Sequence, residues 1–318
     1  MSCCLFVRGH SVTGVATSLI AWLAWKVRVP AKHRNKHQTR TPCKEKGIAP
    51  FRLGNAGEIM DDKRVEWNGD KEQTAIDVLS RTGHMIVSPT KVGYIIMTSD
   101  VGGLKRKFSA KQRALDKPGV VLCGSMEQLR ELAKMNNEID AFYNKAWDSD
   151  VLLGCILPWK ESAKRHIPPD GSDAMIMDGR GTSCFVIKFG VPSELIARAL
   201  WNEHGKVAFA SSANPSGKGN CGRVEGIGER IYNEADLVIA ADEYVRSIQP
   251  EASEKTRYEQ GVMVSMVDAK GRLVPEQRGQ RSVQPGPVVI RKGLDLDRIM
   301  LILSDLFPSW NYRHGDYY

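Results

Sequence analysis

Two short stretches hold residues whose types and spacing could handle a nucleotide and a carboxylate. The first is Ser211-Ser212-Ala213-Asn214-Pro215-Ser216-Gly217, which follows the apolar run from Lys206 to Ala210. That run reads as a buried strand, so the motif lies where a strand ends and a loop begins. Small hydroxyls, an amide, a Pro and a Gly let backbone N–H groups and short side chains approach a ligand closely, because nothing bulky intervenes. Taken alone, Asn-Pro-Ser-Gly is also ordinary turn chemistry. The second stretch is Lys111-Gln112-Arg113-Ala114-Leu115-Asp116-Lys117-Pro118, preceded by Ser88-Pro89-Thr90-Lys91-Val92-Gly93-Tyr94. A lysine offers a point charge and an arginine a planar fork, and together they suit phosphate or carboxylate oxygens better than a neutral pair.

This combination resembles the YrdC-type threonylcarbamoyl-AMP synthases. Those enzymes carry, in this order, a Pro-Thr-acid-Thr-x-Tyr-Gly-Leu turn, a Lys-x-Arg-x-x-x-Lys-Pro segment and a Ser-Ala-Asn-Pro-Ser-Gly turn. The second and third are intact here. The first is half kept: Pro89, Thr90 and Tyr94 match, while Lys91 replaces the acid, Val92 the second Thr, and Ile95-Ile96 the Gly-Leu. The likeness runs over roughly residues 72 to 295.

The resemblance implies an α/β fold, a twisted mixed β-sheet with flanking helices and a basic concave cavity. It implies an enzyme, a nucleotidyltransferase that joins threonine, bicarbonate and ATP into threonylcarbamoyl-adenylate and pyrophosphate for tRNA modification. On this basis Lys111 and Arg113 are the catalytic pair, contacting phosphate, bicarbonate and carboxylate. Lys117, Ser212 and Asn214 are expected to hold the nucleotide, and Thr90 and Tyr94 to line the amino-acid pocket. ATP, accompanied by Mg, is the implied cofactor, with no tightly bound protein-coordinated metal. An amino acid, bicarbonate and tRNA are the implied partners.

Several positions depart from the pattern. Val92 lacks a hydroxyl and Lys91 puts a positive charge where the family has an acid. The Pro-Gly-Pro-x-Thr turn has no clean match, Leu157-Pro158-Trp159-Lys160-Glu161-Ser162 being nearest. The Arg expected before Val191-Pro192 is Gly190, with only Lys188 nearby. Retained phosphate-side motifs beside an altered amino-acid side imply a changed acceptor. Two alternatives stay open: an amide-bond former that uses aminoacyl-tRNA, of the cyclodipeptide type, on the same scaffold, and a non-catalytic tRNA-binding module.

Composition bounds these readings. The formal charge is +8, but the first 44 residues contain eight Lys and Arg and no acid, so the rest of the chain is formally neutral. Its overall basicity therefore says nothing about RNA. Locally, Lys105, Arg106, Lys107, Lys111, Arg113 and Lys117 share one short span with a single acid, Asp116, which makes either an anion site or a solvated basic face. Seven cysteines include no Cys-x-x-Cys pair, which fits reduced thiols in an intracellular compartment. No Ser-His-Asp set, paired carboxylates or metal-ligand spacing stands out.

The elements that must position these residues follow from periodicity. Residues 1–70 read as a basic N-terminal extension, flexible or targeting, and residues 71–318 as the domain with a C-terminal helix. The acid-free start fits a mitochondrial presequence, so the expected location is cytoplasmic or mitochondrial. Its apolar part, Val12 to Val27, is short and interrupted, and no stable membrane insertion is expected. A helix over Ala75–Leu79 leads to a strand at His84–Val87 that runs into Pro89-Thr90. The pattern then gives strands at Val120–Cys123, Leu152–Leu157, Cys184–Lys188, Leu237–Ala240 and Val262–Val267. Helices are expected after the Ser125 capping box, around Phe142–Trp147, after a Pro192-Ser193 cap, and over Leu294–Phe307. Lys111 to Pro118 reads as an exposed connection before the Val120 strand.

Overall fold

The computed structural model describes residues 62–70, 72–112, 118–215, 219, 222–252 and 260–313. Strands form at Arg64–Glu66 (β1), Met85–Thr90 (β2), Gly93–Thr98 (β3), Val120–Leu122 (β4), Leu153–Pro158 (β5), Thr182–Ile187 (β6), Ala208–Ser212 (β7), Leu237–Ala240 (β8), Val262–Ser265 (β9), Val288–Arg291 (β10) and Asn311–Tyr312 (β11). Helices form at Gln73–Ser80 (α1), Val101–Lys111 (α2), Met126–Leu132 (α3), Asn137–Asp148 (α4), Asp173–Ile176 (α5), Val191–His204 (α6), Glu229–Glu234 (α7), Asp242–Ile248 (α8) and Leu296–Leu306 (α9). The strands make one mixed sheet in the order β1-β8-β2-β3-β7-β4-β6-β5-β9-β10-β11. This is the mixed α/β architecture the sequence implies. The sheet takes in Arg64–Glu66, which pairs parallel with β8 ahead of residue 71.

Side chains of neighbouring strand residues point to opposite faces, and this alternation sorts the core into layers. Val121, Phe185, Leu157 and Phe209 pack with residues of α2, α3, α4 and α9 on one face. Leu122, Ala208, Ile86 and Met97 pack with α1 and α6 on the other. Met85, Val87 and Tyr94 meet α7 and α8. A fourth cluster, Ile156, Cys184, Met263, Val267 and Ile290 with Val120 and Val186 at its margin, contains strand and loop residues only. Over β6, β5, β9 and β10, the face turned away from α4 and α9 therefore carries no helix among the described residues.

Several expectations need correction. Lys111 is not in an exposed connection: it is the last residue of α2 and 4% exposed. The periodicity of α2 is weak, and its helix is set by contacts. Asp100 accepts from Gly103 N at 2.9 Å and from Gly83 N at 2.8 Å, capping the helix and tying it to the β2 approach. A Cβ on Gly103 would lie 1.8 Å from Thr98 Oγ1, so the Gly102-Gly103 pair serves close packing. The strand expected from Lys206 to Ala210 starts and ends later, running from Ala208 to Ser212. Ser193 does not cap α6; Gly190 takes that place, and Glu194 Oε1 accepts from Gly190 N at 2.7 Å. Ser125 does cap α3, accepting from Gln128 N at 3.1 Å, while Gln128 Oε1 reaches back to Gly124 N at 2.8 Å.

Candidate functional site

The third motif begins on β7, a central strand, and this burial fixes its first residues. Lys111 at the end of α2 donates from Nζ to the Ser212 carbonyl and, at 3.1 Å, to Ser212 Oγ. The basic segment and the Asn-bearing turn, 101 residues apart in the chain, therefore meet. One helical turn earlier Lys107 is 1% exposed, its ammonium 4.5 Å from the Phe108 ring centroid. A Cβ on Gly119 would sit 2.7 Å from that ammonium, so Gly119 closes over it. For Lys107 and Lys111 the solvated-face reading fails, since the spacing i, i+4 puts both on the buried side of α2. Arg113 and Lys117 lie outside the described residues.

Asn214 is 6% exposed; its Nδ2 donates to the Pro215 carbonyl at 3.2 Å. Its Oδ1, like Ser211 Oγ, is buried with no hydrogen-bond partner among the described residues. A buried acceptor left unpaired costs about 1–3 kcal/mol, a cost that a ligand donor would remove.

The first motif is placed differently. Thr90 pairs with Gly93, leaving Lys91 and Val92 as a two-residue turn between β2 and β3. Gly93, at φ 101°, follows the turn in the positive-φ region that glycine enters freely. Thr90 Oγ1 donates to the Gly93 carbonyl at 2.6 Å and accepts from Val92 N at 3.2 Å, so the hydroxyl expected in an amino-acid pocket holds the turn. Tyr94 is fully buried; its hydroxyl donates to Asp242 and accepts from Ala241 N at 2.9 Å. Burial, then the Asp242 bond, push its ionisation far above the ordinary tyrosine range. It joins β3 to α8 rather than facing open space.

Gly190 abuts this turn. Its φ is 127°, and a Cβ there would lie 2.9 Å from Lys91 N and from Tyr244 Oη, and 3.1 Å from Thr90 Cα. No side chain fits, which is the physical reason the family's arginine cannot stand at this position. Lys188 does not fill that role: its ammonium sits 4.3 Å from the Trp147 ring centroid and 3.5 Å from Asp150 Oδ1.

The open face supplies a cation that the sequence pattern does not single out. Arg291 Nε donates to the Gly261 carbonyl at 2.8 Å, and its charge reaches Cys184 on the apolar floor. Burial pushes that thiol up to about 12, against the pull of Arg291. The sequence signal for it is slight, a basic residue closing the apolar Val288–Ile290 run. A cavity of about 320 Å³ lies along the same face, lined by Arg180, Ser265, Val267, Val288 and Ile290 among others. Among the described residues no group of three or more His, Cys, Asp or Glu is placed to hold a metal ion. Nor is any helix among them long and apolar enough to cross a membrane.

Asp178 anchors Arg180 at this cavity. Its Oδ2 accepts from Arg180 Nη2 at 2.6 Å and Thr182 Oγ1 at 2.8 Å. Burial alone would raise this carboxyl, but the bonds from Arg180 and Thr182 outweigh it and hold it below the ordinary aspartate range. A depressed folded pKa gives stability that is complete above the unfolded value, near 3.9, and is lost as pH falls through the folded one. Asp178→Asn is expected to cost about 1.5–3 kcal/mol at neutral pH. The gap in urea midpoint between the two proteins should narrow as the pH is taken below about 4.

Comparison with known proteins bears on the family and the fold. The Sua5/YciO/YrdC family model, described as telomere recombination, matches residues 78–252. A threonylcarbamoyl-AMP synthase from Pyrococcus abyssi (strain GE5 / Orsay) is 28% identical over 166 residues, 51% of this chain and 44% of that protein. The match thus spans less than half the length of that relative. Among solved structures, the hypothetical protein smu.1377c from Streptococcus mutans UA159 aligns with a TM-score of 0.76 and 59% identity, over 80% of this chain and 99% of that one. P. abyssi Sua5 complexed with L-threonine aligns at 0.53 and 21%, over 79% of this chain and 62% of that one, a likeness of fold. With its motifs, its mixed sheet and a family match over more than half of its length, the chain belongs to the Sua5/YciO/YrdC family.

Proposed function

We propose that the protein is an ATP-dependent synthase of the threonylcarbamoyl-AMP type, acting for tRNA modification, with an altered amino-acid side. The observation that carries this reading is the corner where the Lys111 ammonium meets Ser212, two residues before Asn214, whose Oδ1 has no partner among the described residues. In the reaction the amine of threonine and bicarbonate give a carbamate with loss of water. A carbamate oxygen then attacks the α-phosphorus of ATP, the bond to the β-phosphate oxygen breaks, and pyrophosphate leaves.

The chain's part in such a reaction is positioning and charge, with no covalent intermediate needed. Lys111 supplies positive charge at the turn, where phosphate charge would gather. Asn214 Oδ1 would accept from a ligand amine or hydroxyl. Arg291, beside Cys184 on the open face, would offer a second cation. Arg113 and Lys117, by their place in the motif, would complete the anion contacts, with Mg arriving on the ATP phosphates. The curated synthase and the L-threonine-bound relative support this substrate class.

Purified protein incubated with ATP, bicarbonate and single amino acids, with and without total tRNA, tests the reading by mass spectrometry. Pyrophosphate and an aminoacyl-carbamoyl adenylate are expected without tRNA. Failure to release pyrophosphate with every amino acid would sink the reading, and a product that needs charged tRNA would replace it by amide-bond formation.

A further inference from the structure

Three charged side chains meet beside the β2–β3 turn. Lys91 Nζ lies 2.7 Å from Asp150 Oδ2 and donates to the Asp150 carbonyl at 2.6 Å, while Lys188 Nζ lies 3.5 Å from Asp150 Oδ1. Only 8% of the Lys91 side chain is exposed. A nearly buried ammonium is expensive unless paired, and its partner carboxylate, 69% exposed, sets the pair at the edge of the surface.

The backbone around the cluster is strained. Asp150 and Lys188 hold φ of 53° and 54°, and Gly190 holds 127°. Non-glycine residues at positive φ persist where the surroundings fix them, and they gather near functional sites. Lys91 is also pinned through its backbone: its N–H donates to the Phe189 carbonyl at 2.8 Å, and its carbonyl accepts from Gln249 Nε2 at 2.8 Å. Two residues beyond the turn the Tyr94 carbonyl accepts from Ala213 N at 2.7 Å, which ties the hairpin to the loop that carries Asn214.

We propose that Asp150 is a positioning residue for the amino-acid side of the site: by gathering Lys91 and Lys188 it fixes the β2–β3 turn against the α4–β5 corner, and so sets how β3 meets the Ala213-Asn214 turn. The inference rests on the proposed function for its kinetic consequence, and on the structure alone for its mechanical one. The lysine that replaces the family's acid is thus turned away from the ligand and used as a strut.

The test uses the full chain with Asp150→Asn, Lys91→Met and the double variant. Asn tolerates the left-handed conformation and leaves the backbone carbonyl in place, so the first change removes charge alone. Hydrogen–deuterium exchange of the segment 88–97 should quicken about tenfold in Asp150→Asn, the scale of one charge-assisted contact. KM for L-threonine should rise about tenfold, with kcat and KM for ATP held within about twofold. The double variant should be no worse than the worse single one, because both act through one contact. Unchanged exchange in Asp150→Asn would overturn the proposal, as would equal losses in all three kinetic constants in step with melting temperature. If the native protein releases no pyrophosphate, the functional reading fails by itself, and exchange in the turn alone decides whether Asp150 holds it.

Discussion

Replacing Lys111 by Ala or Met is expected to lower kcat/KM for pyrophosphate release by about 10²- to 10³-fold, the loss found when one preorganised charge or donor is removed from a site, about 2.7–4 kcal/mol. The residue is 4% exposed, and its Nζ donates to the Ser212 carbonyl and hydroxyl. Those two bonds hold the positive charge at the turn, with little water around it to screen an approaching phosphate. Lys111→Met keeps the apolar stem that fills the space beneath β7, so a fall in rate with an unchanged melting temperature assigns the effect to the charge. Activity within threefold of the native protein in both variants would remove Lys111 from the chemistry.

Gly190→Ala is expected to destabilise the fold by about 2–5 kcal/mol, combining a dihedral that only glycine adopts freely with overpacking against its neighbours. The new Cβ would meet Lys91 N and Tyr244 Oη at 2.9 Å, and backbone cannot give way as a flexible side chain can. Tyr244 Oη accepts from Val191 N at 3.0 Å, so displacing it also frees the start of α6. Gly190→Arg, which restores the residue the family pattern favours, should accordingly lose the fold rather than gain activity. Urea unfolding followed by circular dichroism reads both. A Gly190→Ala protein within about 0.5 kcal/mol of the native one would show that the turn and the α6 start adjust freely.

The two largest effects differ in how far they can be seen from the chain alone. The meeting of Lys111 with the Asn214 turn is anticipated in the chain because the motifs carry particular chemical groups at fixed spacing, and spacing is written in the sequence. Ser125 as a helix cap and the strands at Val120, Cys184 and Leu237 are legible for a similar reason, since caps and alternation act over a few residues. Helix α2 is not legible in this way. Glycines and lysines interrupt its apolar face, and its start is fixed by Asp100 reaching Gly83, 17 residues away.

The sequence by itself determined the class of fold and the order of the three motifs, and put forward the residues expected to hold an anion. The tertiary structure alone decided that Lys107 and Lys111 are buried, and that Tyr94 spends its hydroxyl on Asp242, 148 residues further along. It also decided that Lys91 leans on Asp150 and that Gly190 leaves no room for a side chain. The reason is range: periodicity and capping are set by neighbours in the chain, whereas burial, pairing and clearance are set by whichever distant segments the packed sheet brings together.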